Sequence, residues 1–390
     1  MQETSSQTRT RSGPLSGVRV LEIAGLGPAP FAAMLLGDLG ADVVRIERPP
    51  NTRPGLAVMP SIDIMARSRR SVAVELKHPE GVALVLDLVE KADVLIEGFR
   101  PGVMERLGLG PEVCVQRNPR LVYGRMTGYG QSGPLAQEAG HDINYLALSG
   151  TLAYLGSAGG KPFPPLNLVG DLGGGGMLLA FGICAALIER GRSGAGQVVD
   201  AAMVDGVATL SAFLNGMVTQ PDWGPRGSNW LDGGAYFYNT YETADGRHVA
   251  VGAVEPQFHA ALMRITGLAD EELPHQMDRA RWPEMRERLA ARLRTRTRDE
   301  WADLAKGTDA CLSPVLDLPE AQQHAHNIAR GTFASVEGVM QPTPSPRFSR
   351  TPGQTSSAAP APGAHAEEVL AEWGLDATAL ARLRMPGATR

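Results

Sequence analysis

The chain has 390 residues, 43% of them apolar and 20% charged, with a net charge of −5. Those proportions fit a soluble globular protein of about two domains, and the lack of a net basic field disfavours a nucleic-acid partner. Three cysteines, Cys114, Cys184 and Cys311, lie far apart and outside any paired motif, which excludes a disulfide framework or a cysteine-based metal site and makes a cytoplasmic protein the expectation.

Residues 1–13 are polar, lack the apolar core of a secretory signal and are expected to be a disordered tail. The sequence GVRVLEIAG (17–25) predicts a strand. PAPFAAMLLGDLG (28–40) predicts a helix with proline in its first turn and glycine at its end. Further strands are predicted over 41–49, 71–79, 93–99 and RLVYGRMTGYG (120–130). Between them lie the amphipathic helix PEGVALVLDLVEKA and the short helix PGVMERLGLG. Val/Leu/Ile-rich strands alternating with helices give parallel β/α units, so the first domain, 14–200, is expected to be a doubly wound, Rossmann-like α/β sheet.

DLGGGGMLLAFGICAALIER (171–190) reads as a buried helix, and its most apolar part is too short and too glycine-rich for a bilayer span, so no membrane partner is expected. Linker helices follow over 201–235, beginning with a helix near 197–216. The aromatic and β-branched stretch 233–256, with ADGR between two runs, predicts a hairpin in a smaller α+β domain, 236–325. TPSPRFSRTPGQTSSAAPAPGAH is part of a linker, 326–364. AEEVLAEWGLDATALARLR forms a closing helix pair, 365–390, expected to return to the first domain.

The first βα turn, AGLGPAP, holds Gly25 and Gly27 but lacks the third glycine of a dinucleotide fingerprint, which disfavours a nicotinamide-linked oxidoreductase. Cations stand at successive strand ends: Arg48, Lys77 and Arg100, with Arg106 a turn and a half into the next helix. Singly they read as solvated charges. Together they fit a ligand with several phosphates, and ARSRRS (66–71) is expected to add to this field.

GHDINYLALSG (140–150) places His141 and Asp142 at the mouth of an apolar run, where polar groups cost free energy unless partnered. His141 reads either as a satisfied structural histidine or as an acid/base group. Asp171, in LNLVGDLGGGG, reads as a helix N-cap or as a functional carboxylate. The four glycines after it each cost up to about 1 kcal/mol of helix stability, which is understandable if another molecule approaches the backbone there.

GHDINYLALSG, PPLNLVGDLGGGGM, AAMVDG, LDGGAYFYNTYETADGRHVAVGAVEPQF and DACLSPVLDL together resemble the α-methylacyl-CoA racemases of the family III CoA-transferase superfamily, from about residue 14 to the C-terminal helices. The resemblance implies a Rossmann-like large domain, a small α+β domain and an interlocked homodimer. It implies an isomerase of fatty acid metabolism that interconverts (2R)- and (2S)-2-methylacyl-CoA by two-base proton transfer through an enolate. His141 and Asp171 would be the bases and Glu255 the partner of His141. CoA contacts fall on Arg48, Val74, Glu75, Leu76, Lys77, Gly98, Phe99, Arg100, Arg106, Gly140, His141, Asp142, Ile143, Asn144 and Tyr145. CoA is part of the substrate, with no cofactor or metal besides. The alternative is a CoA-transferase using Asp171 as nucleophile, a class that generally lacks the histidine of GHDINY.

Overall fold

The computed structural model describes residues 12–49 and 63–383. Residues 1–11 of the expected tail and 384–390 of the closing helices lie outside the described residues. The first unit comprises β1 (Arg19–Ile23), α1 (Pro28–Asp38), β2 (Asp42–Glu47), β3 (Arg69–Ala73), α2 (Pro79–Val89), β4 (Val94–Glu97), α3 (Val103–Arg106), α4 (Pro111–Arg117), β5 (Val122–Thr127) and α5 (Asp142–Leu148). A π-helix, Leu168–Met177, then runs into α6 (Leu178–Ser193), followed by β6 (Val198–Ala202) and α7 (Met203–Leu210).

The six strands are parallel in the order β3-β2-β1-β4-β5-β6. This is the expected doubly wound sheet, and its order reverses between β1 and β4, leaving a crevice beyond their carboxyl ends. Alternate residues face opposite layers. Val20, Val43, Val94 and Val122 pack with α1 and α6. Leu21, Val44, Leu95 and Tyr123 pack with α2, α4 and the C-terminal helices.

The second unit, residues 150–165 and 211–325, holds α8 (Ala212–Met217), β7 (Tyr238–Glu242), β8 (His248–Gly252), α9 (Pro256–Ile265), α10 (Trp282–Leu293), α11 (Arg298–Ala305), β9 (Leu312–Pro314) and α12 (Leu318–Gln323). Its antiparallel sheet, β7-β8-β9, buries Tyr241, Val249 and Val251 with Trp282, Leu289 and Trp301. The opposite face lines an open groove of about 480 Å³ bounded by Tyr238, Thr240, Ala250, Gly252, Cys311 and Ser313.

The chain re-enters the first unit through α13 (Ala325–Arg330), β10 (Phe333–Val336), β11 (Val339–Pro342), α14 (Ala366–Glu372) and α15 (Ala377–Leu383). Val369 and Leu370 of α14 and Trp373 at its C-cap are buried in the core beside Val72 of β3.

The structure corrects several expectations. The helix expected near 197–216 begins as β6, whose outward Val198 and Asp200 mark the edge of the sheet. The expected linker 326–364 contains the β10–β11 hairpin. The π-helix and α6 form one helix over Leu168–Ser193, 26 residues, long and apolar enough by length and composition to cross a bilayer; here Leu179, Ala180 and Ile183 are buried, and Leu179 and Ile183 lie over Gly124 of β5.

The arginines of ARSRRS, finally, add nothing to a phosphate field. Arg67 pairs with Asp38 at 2.5 Å, Arg69 with Glu22 at 2.8 Å and Arg70 with Asp42 at 2.6 Å, and all three are buried. For Arg69 and Arg70 register decides this: β3 begins at Arg69, opposite Val43, two residues earlier than expected, so both side chains enter the interior, while Arg67 is buried from the turn just before the strand.

The glycine run after Asp171 also has a different cause from the one expected. A β-carbon on Gly206 of α7 would overlap the carbonyl oxygen of Gly174, and one on Gly174 would stand 2.8 Å from the Val207 nitrogen. Gly175 and Gly176 press in the same way against Pro28 of α1. The chain's own helices, α1 and α7, make the close approach. Gly206→Ala is therefore expected to cost about 1–3 kcal/mol by overpacking, read as a lowered urea midpoint at unchanged m-value. A variant as stable as the parent would contradict the contact.

Candidate functional site

The site lies where β1 and β4 diverge. The turn after β1 brings Gly27 beside the π-helix, so that a β-carbon there would stand 3.7 Å from Asp171 Oδ2. Asp171 is half-buried in the first turn of the π-helix and not at its N-cap, which is Asn167. Asn167 Nδ2 donates to Asp171 Oδ2 at 3.5 Å. This contact was missed from the sequence, although the four-residue spacing in NLVGD places both on one helical face.

His141 is the N-cap of α5, and its backbone N–H donates to Asn144 Oδ1 at 3.0 Å, while the residue itself is exposed. Asp142 follows, 6% exposed, and its Oδ1 accepts the backbone N–H of Asp171 at 2.8 Å. Because Asp142 occupies the first helical position, its own N–H has no acceptor within α5. Burial pushes the Asp171 carboxyl above its ordinary range. The Asn167 hydrogen bond opposes the rise, the Asp142 charge adds to it, and His141 opposes it. His141, Asp142 and Asp171 thus share one electrostatic neighbourhood in the crevice.

Tyr145 supports this arrangement from beneath. Its hydroxyl donates to Gly140 O at 2.5 Å, and its ring meets Tyr129 edge-on at 5.0 Å. Burial, with smaller contributions from Tyr129 and Asp171, pushes the phenol up to about 12, and Arg100 lies close enough to oppose the rise. Tyr145 stays neutral near pH 7. Its work is to hold the ends of the 128–140 loop together. Ile143 and Asn144 are exposed on the same turn.

Four cations predicted from strand ends are exposed at that same edge of the sheet: Arg48 after β2, Lys77 after β3, Arg100 after β4 and Arg106 at the end of α3. Val74 continues β3, its N–H donating to Glu47 O at 2.7 Å. Glu75 Oε1 then accepts the Lys77 N–H at 2.9 Å, with half-buried Leu76 between them. Gly98 is exposed, and the Phe99 N–H donates to Glu97 Oε2 at 2.7 Å. By strand order Arg48 and Lys77 stand one and two strands out from β1, about 5 and 10 Å across the sheet. They flank the crevice.

A buried relay under these loops was also missed. Glu97 binds Arg125 Nε at 3.0 Å, and Arg125 Nη1 reaches Glu105 at 2.9 Å. Burial pushes the Glu97 carboxyl up against these bonds. Nothing in a single sequence marks Arg125 as Glu97's partner, since the contact crosses from β4 to β5.

Glu255 belongs to the second unit. It is exposed at the N-cap of α9 and lies within electrostatic reach of Cys311, a residue lining the groove of that unit. Among the described residues, no three His, Cys, Asp or Glu side chains come together as a metal site.

The chain is similar to known proteins in both sequence and fold. The chain is 51% identical to the mouse protein named alpha-methylacyl-CoA racemase, covering 92% of this chain and 93% of the relative. It is 48% identical to the human protein of that name, covering 92% and 93%. The succinyl-CoA–L-malate CoA-transferase alpha subunit of Chloroflexus aurantiacus is 32% identical, over 95% and 91% of the two chains. A solved CAIB/BAIF family protein from Brucella suis superposes with a TM-score of 0.80 at 27% identity, over 93% of this chain and 100% of that one. The profile of CoA-transferase family III matches residues 15–366, and the chain belongs to that family.

Proposed function

We propose that this enzyme interconverts (2R)- and (2S)-2-methylacyl-CoA thioesters, removing the α-proton from one face and returning a proton on the other. The observation that carries this reading is the pairing of His141 and Asp171 on the first turns of two helices joined by one hydrogen bond, with Asp171 drawn away from bulk water. One base alone would return the proton to the face it left, whereas two groups that each serve as acid and base invert the centre. His141 deprotonates the 2S epimer and Asp171 the 2R epimer, and each reprotonates in the opposite direction. Raising a carboxyl by burial brings it closer to a working acid/base range.

The thioester oxygen gains negative charge in the enolate and takes the N–H of Asp142. Glu255 is the residue that the resemblance assigns as the partner of His141. Arg48, Lys77, Arg100 and Arg106 hold the phosphates of CoA. Proton transfer of this kind exchanges no electrons with a redox partner, so CoA enters as part of the substrate and no separate cofactor is required. Free Cys114, Cys184 and Cys311 accord with a reducing, cytoplasmic setting.

Incubating each epimer in D2O and following the α-hydrogen by NMR tests the reading: deuterium enters and both epimers accumulate. Transfer of CoA to an added free acid, without deuterium at the α-carbon, would overturn it in favour of Asp171 acting as a nucleophile.

The homodimer rests on a separate observation. Met177, Phe181 and Ile188 form an exposed apolar stripe on one helix, 50%, 70% and 66% accessible, with Leu168 and Leu210 also exposed. Contiguous apolar surface of this kind marks an interface, and a two-fold axis would match the stripe to itself. Phe181→Asp is expected to convert a dimer to monomers in sedimentation velocity; a parent protein that sediments as a monomer would remove the proposal.

A further inference from the structure

We infer that the side chain of Asp142 is the positioning residue that sets the spacing between His141 and Asp171, an inference that rests on the proton-transfer reading above. Asp142 Oδ1 accepts the Asp171 N–H at 2.8 Å across 29 residues of sequence. His141 adjoins Asp142 along the chain, so one hydrogen bond fastens the turn that carries the imidazole to the turn that carries the carboxylate. The intervening backbone is built for this contact: a β-carbon on Gly170 would overlap Asp142 Oδ1. Two bases that must straddle one carbon tolerate little error, since a misplacement of about 1 Å can cost about 10²-fold in rate.

A second feature distinguishes Asp142 from an ordinary cap. The residue is 6% exposed, and Oδ2 is buried with no partner in the described residues. Serine or asparagine could accept the Asp171 N–H without burying a half-satisfied carboxylate, which is costly. What the carboxylate adds is negative charge beside Asp171, and that charge raises the Asp171 carboxyl in addition to the larger effect of burial. The other titratable neighbours are His141 and, further along α5, Tyr145. Residues pressed on the glycine run from α1 and α7, Pro28, Phe31, Met203 and Val207, are uncharged.

The test uses the full-length enzyme and both epimers of one 2-methylacyl-CoA. Asp142→Ala is expected to lower kcat for both epimers by about 10²-fold with a much smaller change in KM, because the cations assigned to the phosphates and the backbone N–H at position 142 are both retained. Asp142→Asn keeps an acceptor for the Asp171 N–H and is expected to recover most of kcat. Its distinguishing signature is the pH profile for the 2R epimer. Asp171 must be ionised to act as base, so removing the neighbouring charge lowers its pKa and moves the acid limb of kcat to lower pH. A cap with only a structural role would leave that limb in place. Should Asp142→Ala fail to fold, the isosteric Asn variant carries the test through its pH profile. Wild-type kcat in the Ala variant, or an unshifted acid limb in the Asn variant, overturns the inference while leaving the proton-transfer reading intact. A parent enzyme that exchanges no α-hydrogen with either epimer overturns both.

Discussion

The His141→Ala enzyme is expected to racemise a 2-methylacyl-CoA about 10³-fold more slowly than the parent, within the range that a positioned acid or base contributes. The loss should be unequal in its isotopic signature. With the imidazole gone, nothing removes the α-proton of the 2S epimer, so deuterium wash-in from that side falls to background. Asp171 remains half-buried beside Gly27 and can still take the proton of the 2R epimer. The 2R thioester therefore keeps slow exchange with retention of configuration. Asp171→Asn should reverse the pattern. Equal loss of exchange from both epimers in each variant would mean that the two groups do not act on opposite faces. Full racemisation by His141→Ala would remove the imidazole from the chemistry.

Arg69→Met is expected to lower stability by about 3–5 kcal/mol, the scale seen when one partner of a buried ion pair is deleted. Arg69 is fully buried, donates to Glu22 at 2.8 Å and also reaches the carbonyl oxygens of Met65 and Pro30. Burial lowers its own pKa, opposed chiefly by Glu22. Removing the guanidinium leaves Glu22 in the interior with Arg45 at 3.9 Å as its remaining ion-pair contact among the described residues. Equilibrium unfolding in urea measures the loss. Adding Glu22→Gln should recover part of it, because the uncompensated charge is then gone. A single variant within 1 kcal/mol of the parent would contradict this account, given the size expected of a broken buried pair.

Arg69 also shows why part of the site could not be read from the sequence. The chain presents Arg48, Arg67, Arg69, Arg70, Lys77, Arg100 and Arg106 as similar cations near strand ends. The register of β3 against β2 sends Arg69 and Arg70 inward to Glu22 and Asp42, the turn before β3 buries Arg67 against Asp38, and Arg48 and Lys77, beyond the strands, stay in solvent. Composition carries no information about which acid lies across the sheet.

The alternation of apolar strands and helices, by contrast, was sufficient for a doubly wound sheet, because strands buried on both faces need covering helices on each side. The motifs GHDINY and NLVGDLGGGG likewise marked His141 and Asp171, since polar groups and helix-weakening glycines stand out against an apolar background. Tertiary structure alone decided what those glycines do, which is to admit α7 and Pro28 of α1, and that Asp142 ties the two turns together through Gly170. Local pattern reports how each segment buries its own surface. Which segments then meet depends on contacts between residues far apart in the chain, and those exist only once the sheet has closed the distance.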